Sequence, residues 1–182
     1  MASLAERMLG AAKLDVGTYE EVEADTSATG QAMIVVVLSA VAAGIGSIGD
    51  GGIKGMIIIT VAALVGWVIW AGLTYLIGTK MLPEPDTKAD VGELLRTTGF
   101  AQSPGLLRVL GIIPVLGGLV TLVVSIWMLV AFVIAVRQAL DYKSTGRAVG
   151  VCLIGFLVYL VVMFGIMMVA GIGAAAVGAI AS

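Results

Sequence analysis

The chain contains no histidine and one cysteine, Cys152, which sits inside an apolar run. With no imidazole and a single thiol there is no thiolate–imidazole metal site and no internal disulfide. A Ser–His hydrolytic pair is excluded on the same ground. Charge is also scarce: 12% of residues are charged, about half the fraction of a soluble domain. No charge falls in residues 31–49, 56–78, 119–136 or 149–182. Each of these runs is close to the ~20 apolar residues that cross a bilayer. One such run is compatible with a buried core helix of a soluble domain. Four of them in 182 residues define an integral, multi-pass membrane protein. The net charge of −2 gives no basic footprint for nucleic acid.

Residues 1–14 lack a continuous apolar core, so they do not read as a signal peptide. The first apolar segment is expected to act as a retained signal anchor. Within 1–14, Leu4, Met8, Ala11 and Ala12 share one helical face, with Glu6, Arg7 and Lys13 elsewhere. An amphipathic helix lying in the membrane interface is favoured over a frayed tail. Residues 15–25 gather Asp15, Glu20, Glu21, Glu23 and Asp25 around Tyr19. Charge runs usually form solvated faces, and a small acidic docking surface is the alternative. Asp25, Thr26 or Ser27 suits the cap of the first span. The chain thus divides into an amphipathic, acidic segment at 1–30 and a transmembrane domain at 31–182.

The first span, near 31–48, is rich in small residues: Ser39, Ala40, Ala42, Ala43, Gly44 and Gly46. Such residues let helix backbones approach closely in lipid. A tight turn is expected at 49–52. The second span covers about 53–77. Its Ile57-Ile58-Ile59-Thr60-Val61 run favours a strand in water, but backbone satisfaction in lipid imposes a helix. Trp67 and Trp70 fall well inside this span, so they are expected to pack between helices with an indole N–H bonded; ligand contact is the alternative. A polar loop at 78–96 contains an amphipathic stretch from about Thr87 through Val91, Leu94 and Leu95. A further span is expected at 119–136, then a polar connector at 137–147. The 33 uncharged residues at 149–181 exceed one straight crossing. A span to about Ala170 is expected, with a tail loosened at Gly171-Ile172-Gly173. Ala170, Ala174 and Gly178 carry small-xxx-small spacing, as do Gly171 and Ala175, and suit packing within the chain or against a partner.

Residues 103–118 decide the topology. Ser103 suits an N-cap, Pro104 the first helical position, Pro114 a stop, and Gly117-Gly118 a sharp turn. As an α-helix this element is about 15 Å long, half a hydrocarbon core. If it crosses, there are five segments, and with the N-terminus inside nine of the ten basic residues lie on the cytoplasmic side, Lys54 alone outside. If it lies flat or dips and returns, Arg137, Lys143 and Arg147 move outside and the split is six to four. Basic residues favour the cytoplasm, so five crossings are expected, the third short and proline-bounded. Arg96, Arg108, Arg137, Lys143 and Arg147 are then expected to contact anionic lipid headgroups, each worth about 1 kcal/mol. Arg108 would snorkel to the same side. Topology-setting alone is the simpler reading of this cluster.

Three stretches carry a resemblance: DVGTYEEVEADTSATGQA at 15–32, TTGFAQSPGLLRVLGIIPVLGGL from Thr97, and VRQALDYKSTGRAV from Val136. With their order and spacing, the chain resembles bacterial members of the Yip1-domain family along nearly its whole length. The resemblance implies a five-span bundle in the cell inner membrane with a cytoplasmic N-terminus. Eukaryotic members act in vesicle traffic and bind prenylated Rab GTPases. Their DLYGP-type motif has only a faint echo at Asp15–Tyr19, and their later glycine-tyrosine motif is missing, so Rab binding is not carried over.

Polar groups inside the spans are few: Thr60, Thr74, Tyr75, Thr121, Ser125 and Tyr159. None is paired in sequence with a relay acid, and no spans carry the two acids of an intramembrane protease. A lone hydroxyl in a helix usually bonds its own i−4 carbonyl. Gly44-Ile45-Gly46 and Gly171-Ile172-Gly173 lie in apolar runs with no preceding strand, which removes them as phosphate loops. The expectation is an all-α, polytopic transmembrane helical bundle, non-enzymatic and without a cofactor. It would organise membrane or serve as an accessory subunit of a larger complex, partnered by lipids, membrane proteins or its own copies. The alternative is a small transporter or channel for a neutral solute.

Overall fold

The computed structural model describes residues 2–46, 52–113 and 115–181, with backbone alone at 163, 166, 167 and beyond 168. Most of the turn expected at 49–52, the role of Pro114 and the side chains of the small-xxx-small pattern lie outside the described residues. Among the described residues the chain is helical throughout, with no strand. The elements are α1 (Leu4–Ala12), α2 (Val16–Ala24), a 3-10 turn (Thr26–Ala28), α3 (Thr29–Gly46), α4 (Gly52–Leu76) with a π-helical extension (Ile77–Met81), α5 (Val91–Phe100), a 3-10 helix (Ser103–Ile112), α6 (Gly117–Ala139) and α7 (Thr145–Ala181). Four of these helices are long and apolar enough to cross a membrane.

Local chemistry sets the helix starts. Ser3 and Glu6 form a capping box on α1, and Asp90 and Glu93 form another on α5. Asp15 caps α2 through Thr18 N, and Asp25 caps the turn into α3 through Ser27 N at 3.0 Å. The amphipathic stretch after the polar loop therefore begins at Val91, later than Thr87.

Wholly buried side chains concentrate where α1, α2 and α5 close one end of the bundle. One cluster holds Tyr19, Val22, Val35, Val36 and Phe100; a second holds Leu94, Ile77, Val136, Leu140 and Val151. Away from that end the helices are thinly covered. In α4 only Trp67, Ala71 and Thr74 are buried, while Ile53, Ile57, Ile58 and Val61 are exposed. An apolar surface of this extent requires lipid around it.

The stretch at 103–112 is a 3-10 helix, not an α-helix. At roughly 2.0 Å per residue it reaches farther than an α-helix of equal length. It lies against the second half of α3 and continues a contact that the end of α5 begins. A Cβ at Gly99 would stand 2.8 Å from Ala32 Cβ; one at Gly105 would strike the Ser39 hydroxyl; Gly111 lies against the backbone of Gly46. Six residues are two 3-10 turns, and seven are about two α turns. Glycines at 105 and 111 therefore face small residues at 39 and 46 in register. A Cβ at Gly117 would stand 2.9 Å from Gly111 O, where α6 turns back.

Ser103 is not an N-cap. α5 passes into the 3-10 helix through Ala101 and Gln102 without a fresh start, so the Ser103 hydroxyl donates to Phe100 O at 2.6 Å instead. Nor does the last helix loosen at Gly171-Ile172-Gly173: α7 runs unbroken for 37 residues. In an apolar setting no water replaces an opened helical bond, so a pair of glycines does not end a helix.

Gly46 and Gly55 separate packing from propensity. A Cβ at Gly46 would collide with the Arg108 carbonyl, a backbone atom, whereas one at Gly55 meets nothing within 4 Å. Gly46→Ala is expected to destabilise by about 1–3 kcal/mol. Gly55→Ala is expected to be neutral or stabilising by up to about 1 kcal/mol. Thermal unfolding in detergent checks both; equal melting of the two variants would contradict the register.

Candidate functional site

The polar residues collect in a cap at the buried end. Arg7, 2% exposed, is its centre. Its guanidinium donates to Glu21 at 3.0 Å, Asp25 at 2.6 Å and Gln31 at 3.0 Å, tying α1 to α2 and to the start of α3. The Ser27 hydroxyl and Arg7 together hold Asp25 down at about 2. The acidic stretch is thus only in part a solvated face. Tyr19 and Val22 are fully buried, and the Tyr19 hydroxyl donates to Ala11 O at 3.1 Å. Burial raises that phenol far above its usual value.

The five cations marked for headgroup contact occupy unlike settings. Arg96 is buried and donates to the carbonyls of Val22 and Glu23, the open C-terminal end of α2. Arg137 donates to the carbonyls of Tyr142 and Lys143 and closes the connector between α6 and α7. Lys143, with an 80% exposed side chain, pairs with Asp86 at 2.5 Å. Arg147 donates to Pro83 O and approaches Glu84 at 3.6 Å. Glu84 also accepts the backbone N–H groups of Lys143 and Ser144. The Tyr142 hydroxyl lies 2.9 and 2.8 Å from the carbonyls of Gly78 and Leu82, and its single proton serves one at a time. These bonds clamp the 82–86 loop onto the connector.

Arg108 is elsewhere. Its backbone abuts Gly46 at the far end of α3, and its guanidinium reaches Ser125 of α6 at 3.4 Å. Its Nε is buried without a partner among the described residues.

A cleft of 380 Å³ opens in the cap, lined by Glu20, Glu23, Arg137, Gln138, Asp141 and Lys143 among others. Gln138 bridges its walls by donating to Glu20 at 3.1 Å. The Glu23 carboxylate makes no bond among the described residues. Burial first, then the charges of Asp141, Glu93 and Glu20, push it up to about 7 against the pull of Arg96. Sequence reasoning missed this group, because its neighbours come from three separate stretches.

The two tryptophans of α4 divide. Trp67 donates to Leu95 O at 3.1 Å, and its ring would stand 3.1 Å from a Cβ at Gly99, beside Ala32. The Trp70 Nε1 is buried with no partner among the described residues, contrary to expectation.

An all-helical chain with four membrane-capable helices and a polar cap is an integral, multi-pass membrane protein. The family model for the Yip1 domain matches residues 16–179, nearly the whole chain, and the protein belongs to that family. Comparison with curated proteins and with solved structures gives no match.

Glu23 makes stability depend on pH. With its folded value raised from 4.5 to about 7, the folded chain keeps a proton that the unfolded chain releases. The contribution is full below pH 4.5 and is lost as pH rises through about 7. Asp25 shifts the other way and acts below its ordinary 3.8, so the windows do not overlap. The melting temperature is expected to fall between pH 4.5 and 7, and Glu23→Gln to flatten that fall. Parallel curves for both proteins would exclude Glu23 as the cause.

Proposed function

We propose that this protein is a non-enzymatic Yip1-family bundle of five crossings that organises membrane or serves as an accessory subunit of a larger membrane complex. The supporting observation is how its charges are arranged. The buried cations Arg7 and Arg96 hold helices together, and the cap hydroxyls bonded to carboxylates, those of Ser3, Thr18 and Ser27, sit in helix-capping turns. What the cap offers outward is surface. The 3-10 helix serves as the third crossing because it runs beside α3 from Ser39 to Gly46, continuing the contact that Gly99 of α5 makes with Ala32. Eight of the ten basic residues then share a side with the N-terminus, with Lys54 and Arg108 apart. That side is the cytoplasm by the distribution of charge; in a bacterial cell the membrane is the inner one. The amphipathic α1 lies in the interface, and Trp127 donates to Ala12 O at 2.8 Å to hold its end against α6.

Anionic headgroups meet the cap through Lys143 and Arg147, the more exposed of its cations, with Arg137 behind them. Their surface ion pairs are weak enough for lipid phosphates to compete. A transporter of a neutral solute is the second reading, favoured by a long 3-10 helix beside an intramembrane arginine, both uncommon inside a bilayer.

Topology is testable in a Cys152→Ser background, since Cys152 is buried. Lys54→Cys and Lys143→Cys are expected to react with a membrane-impermeant reagent from opposite sides. Reaction from one side would leave four crossings. In mild detergent the protein is expected to run as an oligomer or with a stable membrane-protein partner, and proteoliposomes to show no solute flux. A free monomer with flux that Arg108→Gln removes would replace this reading with the second.

A further inference from the structure

The 380 Å³ cleft of the cap holds charges of both signs, and they do not answer one another. Glu20 and Glu23 come from α2, Arg137 and Gln138 from the last turn of α6, and Asp141 and Lys143 from the connector. Gln138 satisfies Glu20. The carboxylates of Glu23 and Asp141 make no hydrogen bond or ion pair among the described residues. On the cationic side, Arg137 spends Nε and Nη2 on connector carbonyls, and its Nη1 is unbonded among the same residues. Lys143 is held only by the exposed Asp86. No ion pair among the described residues joins Arg137 or Lys143 to Glu20, Glu23 or Asp141. Opposite charges that share a cleft without pairing suit a ligand that carries both. An ammonium group answers the carboxylates, and a phosphate answers the guanidinium and the amine.

The position of the cleft narrows the source of such a ligand. Its α6 wall is the last turn of a membrane-capable helix that ends at Ala139. The headgroup layer begins where such a helix leaves the hydrocarbon. The cleft volume falls within the ~300–1,000 Å³ of small-ligand sites, ample for one phospholipid headgroup. A choline headgroup fits poorly, because its ammonium is covered by methyl groups and donates no hydrogen bond. A glycerol headgroup brings the phosphate but no cation for Glu23 and Asp141.

We propose that this cleft binds the headgroup of an ethanolamine phospholipid from the leaflet beside the N-terminal segment, its ammonium on Glu23 and Asp141 and its phosphate on Arg137 and Lys143. The proposal rests on the reading that headgroups meet the cap, and adds to it a choice among headgroups. Lys143 gives up only a surface ion pair to reach the phosphate. Glu23 makes the site sensitive to pH. The charged groups that face it are Glu20 of α2, Glu93 and Arg96 of α5, and Asp141 of the connector. Burial and the three acids raise it to about 7, so the carboxylate the ammonium needs forms as pH rises through that value, and binding at lower pH releases the Glu23 proton to solvent.

The test is native mass spectrometry of the full chain after incubation in detergent with equimolar phosphatidylethanolamine, phosphatidylcholine and phosphatidylglycerol. Phosphatidylethanolamine is expected to be retained about tenfold over phosphatidylcholine, the scale of one hydrogen bond to a charged group. Glu23→Gln and Asp141→Asn are each expected to bring it down to the phosphatidylcholine level. Asparagine tolerates the positive φ of 53° at position 141, so the fold is kept in that variant. Retention of phosphatidylethanolamine is expected to rise with pH through about 7 and to stay flat in Glu23→Gln, a readout that lost packing alone does not give. Phosphatidylglycerol, held at Lys143 and Arg147, is expected to respond to neither variant. Glycerophosphoethanolamine, the same headgroup without acyl chains, is expected not to displace the lipid at matched concentration; displacement would overturn the membrane source. Equal retention of phosphatidylethanolamine and phosphatidylcholine would overturn the proposal without any variant. If phosphatidylglycerol is still retained, the broader headgroup reading stands; if no lipid is retained, both fall.

Discussion

In hydrocarbon the hydrophobic effect does not press helices together, so close backbone contact must do it. Here that contact is the glycine face of the 3-10 helix laid on the small residues of α3. Gly105 faces Ser39, and Gly111 faces Gly46, with no room for a Cβ between. This seam holds an element of ten residues alongside a helix of eighteen. It also places the start of α6. Because Gly111 ends beside Gly46, Gly117 begins α6 at the same end, and α6 can run back to the cap.

The cap is held by a different force. Two buried cationic side chains, Arg7 and Arg96, each tie separate stretches of chain to one another through carboxylates or helix-end carbonyls. Burying such charges is tolerable because they are hydrogen-bonded on several sides. The result is a protein with two unlike halves: a densely buried, polar-stitched end, and thin apolar helices whose outer faces belong to the bilayer.

Much of this is legible in the order of residues alone. Exclusion of charge from four runs marks the four helices long and apolar enough to span, and the spacing of serine or aspartate before glutamate marks the starts of α1 and α5. The 3-10 geometry of residues 103–112 escapes a reading based on caps and prolines, although a signal exists. Glycines six apart fall on one face of a 3-10 helix and on different faces of an α-helix. The cap is legible only as charge. The partners of Arg7 stand 14 to 24 residues away, and those of Arg96 more than 70, distances at which pattern in one sequence carries no pairing information. The unpaired Trp70 could not be foreseen, because its neighbours come from separate helices.

α7 passes Trp70 at Gly155 and continues without a break to Ala181. Those 26 further residues extend about 39 Å, against a hydrocarbon thickness of about 30 Å. A straight helix of that length leans about 40° from the bilayer normal, or carries its last turns past the hydrocarbon. The last helix is therefore longer than one perpendicular crossing needs.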